Sequence, residues 1–152
     1  MKVICTNRKA RYDFMILETL EAGMVLKGTE VKSLRAGGAH LKDSYASIEG
    51  GELFLFNAHI GPYKYANRFN HEPERTRKLL VHAREIKRLT GKIKEKGLTL
   101  VPLKMYFNDA GKVKLELGLA KGKRAYDKRK TIADRDAKRD MERALKDKNL
   151  ER

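Results

Sequence analysis

Apolar and polar residues alternate through LTLVPLKMYFNDAGKVKLELGLA. Val101, Leu103, Met105 and Phe107 share one parity, and after Asn108-Asp109-Ala110-Gly111 so do Val113, Leu115, Leu117 and Leu119. A period of two on both sides of a turn-forming tetrad predicts a β-hairpin with one face in the core. SYASIEGGELFLFNAHI repeats the pattern, with Gly50-Gly51 supplying the positive φ of a tight turn. An earlier strand is expected through FMILETL, with MVLKG continuing it after Ala22-Gly23. In GTEVKSLRAGG, Val31 and Leu34 stand at helical spacing before paired glycines, which predicts a short helix. The longest helix is expected to begin in NHEPERTRKLLVHAREIKRL. Pro73 fits a first turn, Glu72 and Glu74 complement the helix dipole, and Leu79, Ala83, Ile86 and Leu89 recur at helical spacing. Gly91 is a candidate kink and Gly97 a C-terminal stop.

Short, curved strands with a capping helix predict a mainly β fold with peripheral α-helices, closed as a small OB-like barrel. Residues 1–120 form this body, and Phe54, Phe56, Phe69, Tyr106 and Phe107 are read as part of its core. Residues 121–152 form a basic C-terminal tail whose large apolar residues are Ile132, Met141, Leu145 and Leu150. These are too few to offset the entropy of ordering, so the tail is expected to be disordered when free.

Charge changes the picture from fold to partner. The 152 residues suit one domain, and 41% hydrophobic residues can build its core, yet the formal net charge is +15. Of this, +6 falls in residues 121–152, from 13 basic and 7 acidic side chains. Such an excess attracts polyanions. No apolar run approaches the roughly 18 to 20 residues that span a bilayer, so no membrane partner is expected. MKVICTNRKARYDF lacks the pattern of a secretory signal. Cys5 is the single cysteine, so no disulfide framework exists and a reducing cytoplasm is the expected setting. Nucleic acid is the expected partner.

Catalytic patterns are absent from the sequence. His40, His59, His71 and His82 are scattered, and His82 with Glu85 lacks the further ligands a metal site needs. Ser33, Ser44 and Ser47 have no nucleophile-elbow glycines. GLAKGKR is one residue short of a phosphate loop between its glycines, and Arg124 stands where Ser or Thr would hold magnesium. No catalytic residue, metal or cofactor is therefore assigned, and the protein is read as a non-enzyme. Binding chemistry is richer. Arg8, Lys9 and Arg11 lie just before the expected first strand, where they can clamp phosphates. Arg75, Arg77 and Lys78 open the expected long helix, whose free N–H groups also attract anions. Each cluster alone is equally a solvated face; together, on a chain of this charge, they point to RNA. Charge and barrel alone fit a general RNA chaperone or a ribosome-associated structural RNA-binding protein, whereas a nuclease would need acidic residues converging in a cleft.

NRKARYDF, LEAGMVLKGTEVKSLRAG, DSY with ELFLFNAHI, PERTRKLLVHAREI, VPLKMYF and AKGKRAYDKR occur in this order along nearly the whole chain. In these motifs the chain resembles the small protein B (SmpB) family, and GTEVKSLR with RTRKLL is the most specific part of the match. The resemblance implies an OB-like barrel and a basic tail that is unstructured until bound. It implies binding to the tRNA-like part of transfer-messenger RNA (tmRNA, or SsrA RNA). It further implies delivery, with elongation factor Tu and GTP, to ribosomes stalled without a codon, where trans-translation begins. Onto this chain it carries tmRNA contact at Asn7 and its segment, at Glu21, and at RTRKLL with Lys78 and Leu80. Gly122 matches the glycine of AKGK, beside Lys123.

Tyr126 stands where the family often has histidine, and is followed by matching Asp127, Lys128 and Arg129. The resemblance puts this stretch in the decoding centre, against small-subunit rRNA, and the remaining tail in the vacant mRNA channel. Tyrosine keeps a face that can stack on a base and lacks the imidazole charge. Beyond it, Arg135, Arg139, Arg143 and Lys146 would align as one ridge of a helix, with Ala133, Ala137, Met141 and Leu145 nearly opposite. A helix of that length is marginal alone, so the tail is expected to become helical on binding.

Overall fold

A computed structural model gives the structure of the chain and describes residues 1–66, 69–123 and 139. In chain order the elements are β1 (Lys2–Thr6), α1 (Arg8–Asp13), β2 (Phe14–Met24), α2 (Gly28–Arg35), β3 (Ala39–His40), β4 (Tyr45–Glu49), β5 (Glu52–Phe56), β6 (His59–Ile60), β7 (Arg77–Leu80), α3 (Ala83–Lys96), β8 (Thr99–Phe107) and β9 (Val113–Gly122). Two units are distinguished, Met1–Gly122 and Lys123–Arg152. The expectations of a free tail that is disordered and a bound tail that is helical fall outside the described residues, apart from Arg139, which is helical and exposed.

Strand pairing makes the first unit mainly β and closes it on itself. The main sheet runs β1-β8-β4-β5-β7-β2-β9, and β8 also pairs with β9, so β8, β4, β5, β7, β2 and β9 form a ring with β1 outside it. Every pairing is antiparallel. The two predicted hairpins supply β4–β5 and β8–β9. In the first, Glu49 faces Glu52 across Gly50 and Gly51, at φ 59° and 76°, the conformation that a tight two-residue turn requires. In the second, Phe107 faces Val113, and the Asn108 N–H donates to the Lys112 carbonyl at 2.8 Å. Leu53, Leu55, Leu100, Met105, Leu115, Leu117 and Leu119 fill the interior, and Leu89 of α3 enters fully buried. As expected, Gly97 ends α3 in the left-handed region at φ 61°. Gly91 lies within α3 without ending it.

Three expectations need correction. RTRKLL does not open a helix: Arg77–Leu80 is strand β7, with Leu53 facing Leu79 and Leu55 facing Arg77 on one side and Met24 facing Leu79 on the other. Arg77 and Leu79 point in while Lys78 and Leu80 point out, a period of two that the helical spacing of Leu79, Ala83, Ile86 and Leu89 overlaid. The helix begins only at Ala83, after an extended His82. Second, Val101 and Leu103 do not share the face of Met105 and Phe107. A register shift between Pro102 and Lys104 leaves Leu103 as an extra residue, and one extra residue reverses which face follows. Val101 and Leu103 pack in a smaller cluster with Ala10 and Ala120, while Met105 and Phe107 enter the main core. Third, Phe69 lies outside every strand and is 89% exposed, whereas Tyr106 and Phe107 are buried and Phe54 and Phe56 half-buried.

Candidate nucleic-acid interface

The bulge in β8 builds the seat for α1. Its carbonyls at Pro102 and Leu103 turn toward Asn7, accepting from the side-chain Nδ2 at 2.9 Å and the backbone N–H at 2.7 Å. Asn7 Oδ1 in turn accepts from the Ala10 N–H at 3.3 Å and so caps α1. The side-chain amide of Asn7 is thus committed to the fold, and its effect is to hold Arg8, Lys9 and Arg11 outward. All three are exposed, and Arg11 lies 3.9 Å from Glu116. TNRKAR does not precede the first strand: β1 comes before it, and RKAR is the body of α1.

The β2–β9–β8 face carries the next group. Glu21 faces Glu116 across β2–β9, and Glu116 accepts a salt bridge from Lys104 at 3.3 Å. Glu21 Oε2 accepts the Tyr106 hydroxyl, and burial together with this carboxylate holds the phenol's pKa well above the usual range. Continuing along β2, Gly23 faces Leu80 of β7. A Cβ at Gly23 would stand 3.4 Å from Leu80 Cβ, an ordinary contact, so the two positions lie side by side across the strand pair. Leu80 is 51% exposed and, with Glu21, Thr19, His82, Arg88 and Lys114, lines an open groove of about 650 Å³. Along α3, Glu18 binds Arg88 at 2.6 Å and Lys92 at 2.9 Å, and these cations hold its carboxyl below the usual range. Lys78 points outward from β7 and reaches Glu52 at 3.0 Å. Gly122, the last residue of β9, faces Phe14 at the end of α1, with exposed Lys123 following. The structure therefore brings Glu21 and Leu80 onto the paired strands β2 and β7, while the cations of α1 lie on the helix that leads into β2, with Gly122 beside its end.

Arg77 is elsewhere. Both it and Glu30 are fully buried; Arg77 Nε donates to Glu30 Oε2 at 2.5 Å, Nη1 to the Ala58 carbonyl at 2.6 Å and Nη2 to the Pro73 carbonyl at 3.0 Å. The expectation that Arg77 clamps a phosphate is corrected: its donors are spent inside the protein. Glu30 also accepts from Arg75 at 2.6 Å and from the Lys27 N–H at 2.8 Å. Burial alone would raise the Glu30 carboxyl, but hydrogen bonds from Arg75, Lys27 and Arg77 outweigh it and hold the pKa below the usual range. Burial likewise lowers the Arg77 pKa against the support of Glu30. Arg75 is partly exposed but faces the same carboxylate. The pair ties α2 to β7 across the barrel end.

Tyr126, Asp127, Lys128, Arg129, Arg135, Arg143 and Lys146 lie outside the described residues. Sequence reasoning missed Lys104, Lys114 and Glu116, which lie beside buried Tyr106 on β8 and β9. The alternation of Lys114 and Glu116 with Val113, Leu115 and Leu117 carried that signal. Among the described residues, no group of three or more His, Cys, Asp or Glu is placed to hold a metal ion, and no helix is long and apolar enough to cross a membrane. Burial raises the Cys5 thiol pKa to about 11.

A closed ring of antiparallel strands, with cations and an exposed leucine along its outer face, makes the described residues a small, mainly β RNA-binding candidate, compatible with the expected OB-like barrel. Residues 4–147 match the family model described as SmpB protein. The chain belongs to the SmpB protein family. It is 60% identical over 147 residues to the SsrA-binding protein of Desulforamulus reducens, covering 97% of this chain and 91% of that relative. It is 64% identical over 143 residues to the SsrA-binding protein of Symbiobacterium thermophilum, covering 94% and 90%. A solved structure described as "tmRNA-SmpB: a journey to the center of the bacterial ribosome" contains a chain 57% identical to this one. It aligns with a TM-score of 0.65 and covers 79% of this chain and 84% of that one.

Proposed function

We propose that this chain binds the tRNA-like part of tmRNA and brings it to stalled ribosomes, initiating trans-translation in the cytoplasm. The observation that carries this reading is the 57% identity to a chain in a tmRNA-SmpB ribosome structure, extending over 84% of that chain. Residues 1–120, together with Gly122 and Lys123, do the capturing. Arg8, Lys9 and Arg11 on α1, Lys78 on β7 and Lys123 beside Gly122 contact phosphates, while Glu21 and Leu80 take part through the groove they share. Asn7 seats α1 on β8, and Arg75 and Arg77 tie β7 and the loop before it to α2.

Residues 121–152 read the ribosome. Tyr126, Asp127, Lys128 and Arg129 enter the decoding centre, and Arg135, Arg139, Arg143 and Lys146 follow the vacant mRNA channel along small-subunit rRNA. Elongation factor Tu with GTP joins through the RNA. The protein is an adaptor and not an enzyme, and needs no metal or cofactor for this role. Competition decides the reading. Labelled tRNA-like domain of tmRNA, held by the protein at near-physiological salt, should resist displacement by excess ordinary tRNA. Equal competition would make the chain a general RNA binder.

A further inference from the structure

The loop between β6 and β7 has a chemistry that the groove does not use. Tyr65 is 75% exposed, Tyr63 half-buried, and the two rings meet edge-on with centroids 5.6 Å apart. Lys32 from α2 reaches over the Tyr63 ring at 5.5 Å, and Lys64 over the Tyr65 ring at 5.9 Å. None of these four residues lines the groove that holds Glu21 and Leu80.

The loop is held by a frame. Asn70 accepts from the Tyr63 N–H at 3.1 Å through Oδ1 and donates to the Tyr63 carbonyl at 3.0 Å through Nδ2, so one side chain closes the loop as a strand partner would. His71, buried at 5% exposure, follows directly. Its Nε2 lies 2.8 Å from the Ile60 carbonyl, which can only accept, so Nε2–H is the donor. Its Nδ1 lies 2.9 Å from the Thr29 hydroxyl of α2. The base of the loop is thus fixed to both β6 and α2, the helix that supplies Lys32.

Tyr65 faces water and Tyr63 is half-buried, each beside an ammonium, and the exposed ring of Tyr65 gains little for the fold. We propose that Tyr63 and Tyr65 with Lys32 and Lys64 form a stacking platform for unpaired RNA, separate from the groove. An exposed ring offers its face to any base, and lysines beside it hold the flanking phosphates. Unpaired RNA is favoured over a protein partner by the two paired lysines and by the +15 charge of the chain. The inference rests on the proposed RNA-binding role only for the polymer's identity, and its site is a different surface.

The test compares wild type with Tyr63→Ala/Tyr65→Ala, Tyr63→Phe/Tyr65→Phe and Leu80→Ala, all retaining both lysines. Each full-length protein is titrated with an unstructured oligouridylate of about eight nucleotides and, separately, with the tRNA-like domain of tmRNA. The chain has no tryptophan, so stacking also reads out as quenched tyrosine emission. The alanine pair should weaken oligouridylate binding by about fivefold or more, the phenylalanine pair should keep it, and Leu80→Ala should leave it unchanged. Equal affinity for wild type and the alanine pair would overturn the proposal, as would equal loss in the alanine and phenylalanine pairs, or no binding by wild type. Failure to hold the tRNA-like domain while oligouridylate binding is intact would count against the proposed function and leave the platform standing.

Discussion

Arg77 and Glu30 meet inside the protein with both side chains fully buried, Nε to Oε2 at 2.5 Å. They come from β7 and α2, 47 residues apart in the chain. An ion pair this deep is not in itself a large gain, because removing two charges from water offsets most of their attraction. Its importance lies in what happens when one partner is lost, since the other is left charged without its counterion.

Glu30→Gln should therefore cost about 3 to 5 kcal/mol of stability, measured by urea unfolding. The change keeps the shape and removes the charge facing Arg75 and Arg77. A loss below about 1 kcal/mol, in the range of an exposed pair, would mean that water or a shifted partner compensates the guanidiniums.

Acid should act through the same carboxylate. The folded Glu30 pKa lies below its unfolded value, so its contribution is fully present above the unfolded pKa of about 4.3. It is lost as pH falls below that value and through the folded pKa, because the unfolded state then binds more protons. Stability measured from pH 6 downward should fall more steeply in wild type than in Glu30→Gln. Parallel curves would place the acid sensitivity elsewhere, for instance at Glu18, whose carboxyl Lys92 and Arg88 also hold below the usual range.

Lys9 and Arg77 were equivalent in the sequence and are not equivalent in the fold. Lys9 is exposed on α1. Lys9→Ala should leave stability unchanged and reduce the slope of log affinity for tmRNA against log salt by about 0.7 to 1. Arg77→Ala should instead lower the unfolding midpoint while the folded fraction keeps the wild-type slope. An unchanged slope for Lys9→Ala would remove that residue from the interface.

For residues 121–152 the expected separation is functional. Deleting residues 131–152 should preserve most tmRNA affinity at fixed salt and abolish tagging of stalled-ribosome products. Tyr126→Ala should impair tagging, and Tyr126→His should not, because a planar ring remains. Normal tagging by Tyr126→Ala would dismiss stacking at that position.

Period-two patterning made the two hairpins legible, because each strand buries one face and each turn carries its glycines. The barrel's closure was legible only as an expectation of class, since β8 pairs with β1, β4 and β9, contacts spread over most of the chain. The bulges that leave Leu17 and Leu103 unpaired were not legible: one extra residue changes which side chains face inward without changing composition. Arg77 hides its role for a related reason. A cation in RTRKLL looks solvated until Glu30, distant in sequence, is placed beside it. Glu21 and Leu80 came from separate motifs carried by family resemblance. Their shared groove depends on β2 running past both β9 and β7, which no local pattern reveals.

Because the barrel closes on itself, β1 is left as the end strand of the main sheet among the described residues. Its five residues carry a register shift between Val3 and Cys5, and Lys2 stands at its start. A short, bulged edge with a charge is a poor template for strand addition by another copy. A protein that waits for RNA with much of its charge unneutralised gains solubility from self-repulsion, but once RNA neutralises that charge the repulsion is gone. The interrupted edge of β1 does not depend on charge, and it still disfavours strand addition by another copy.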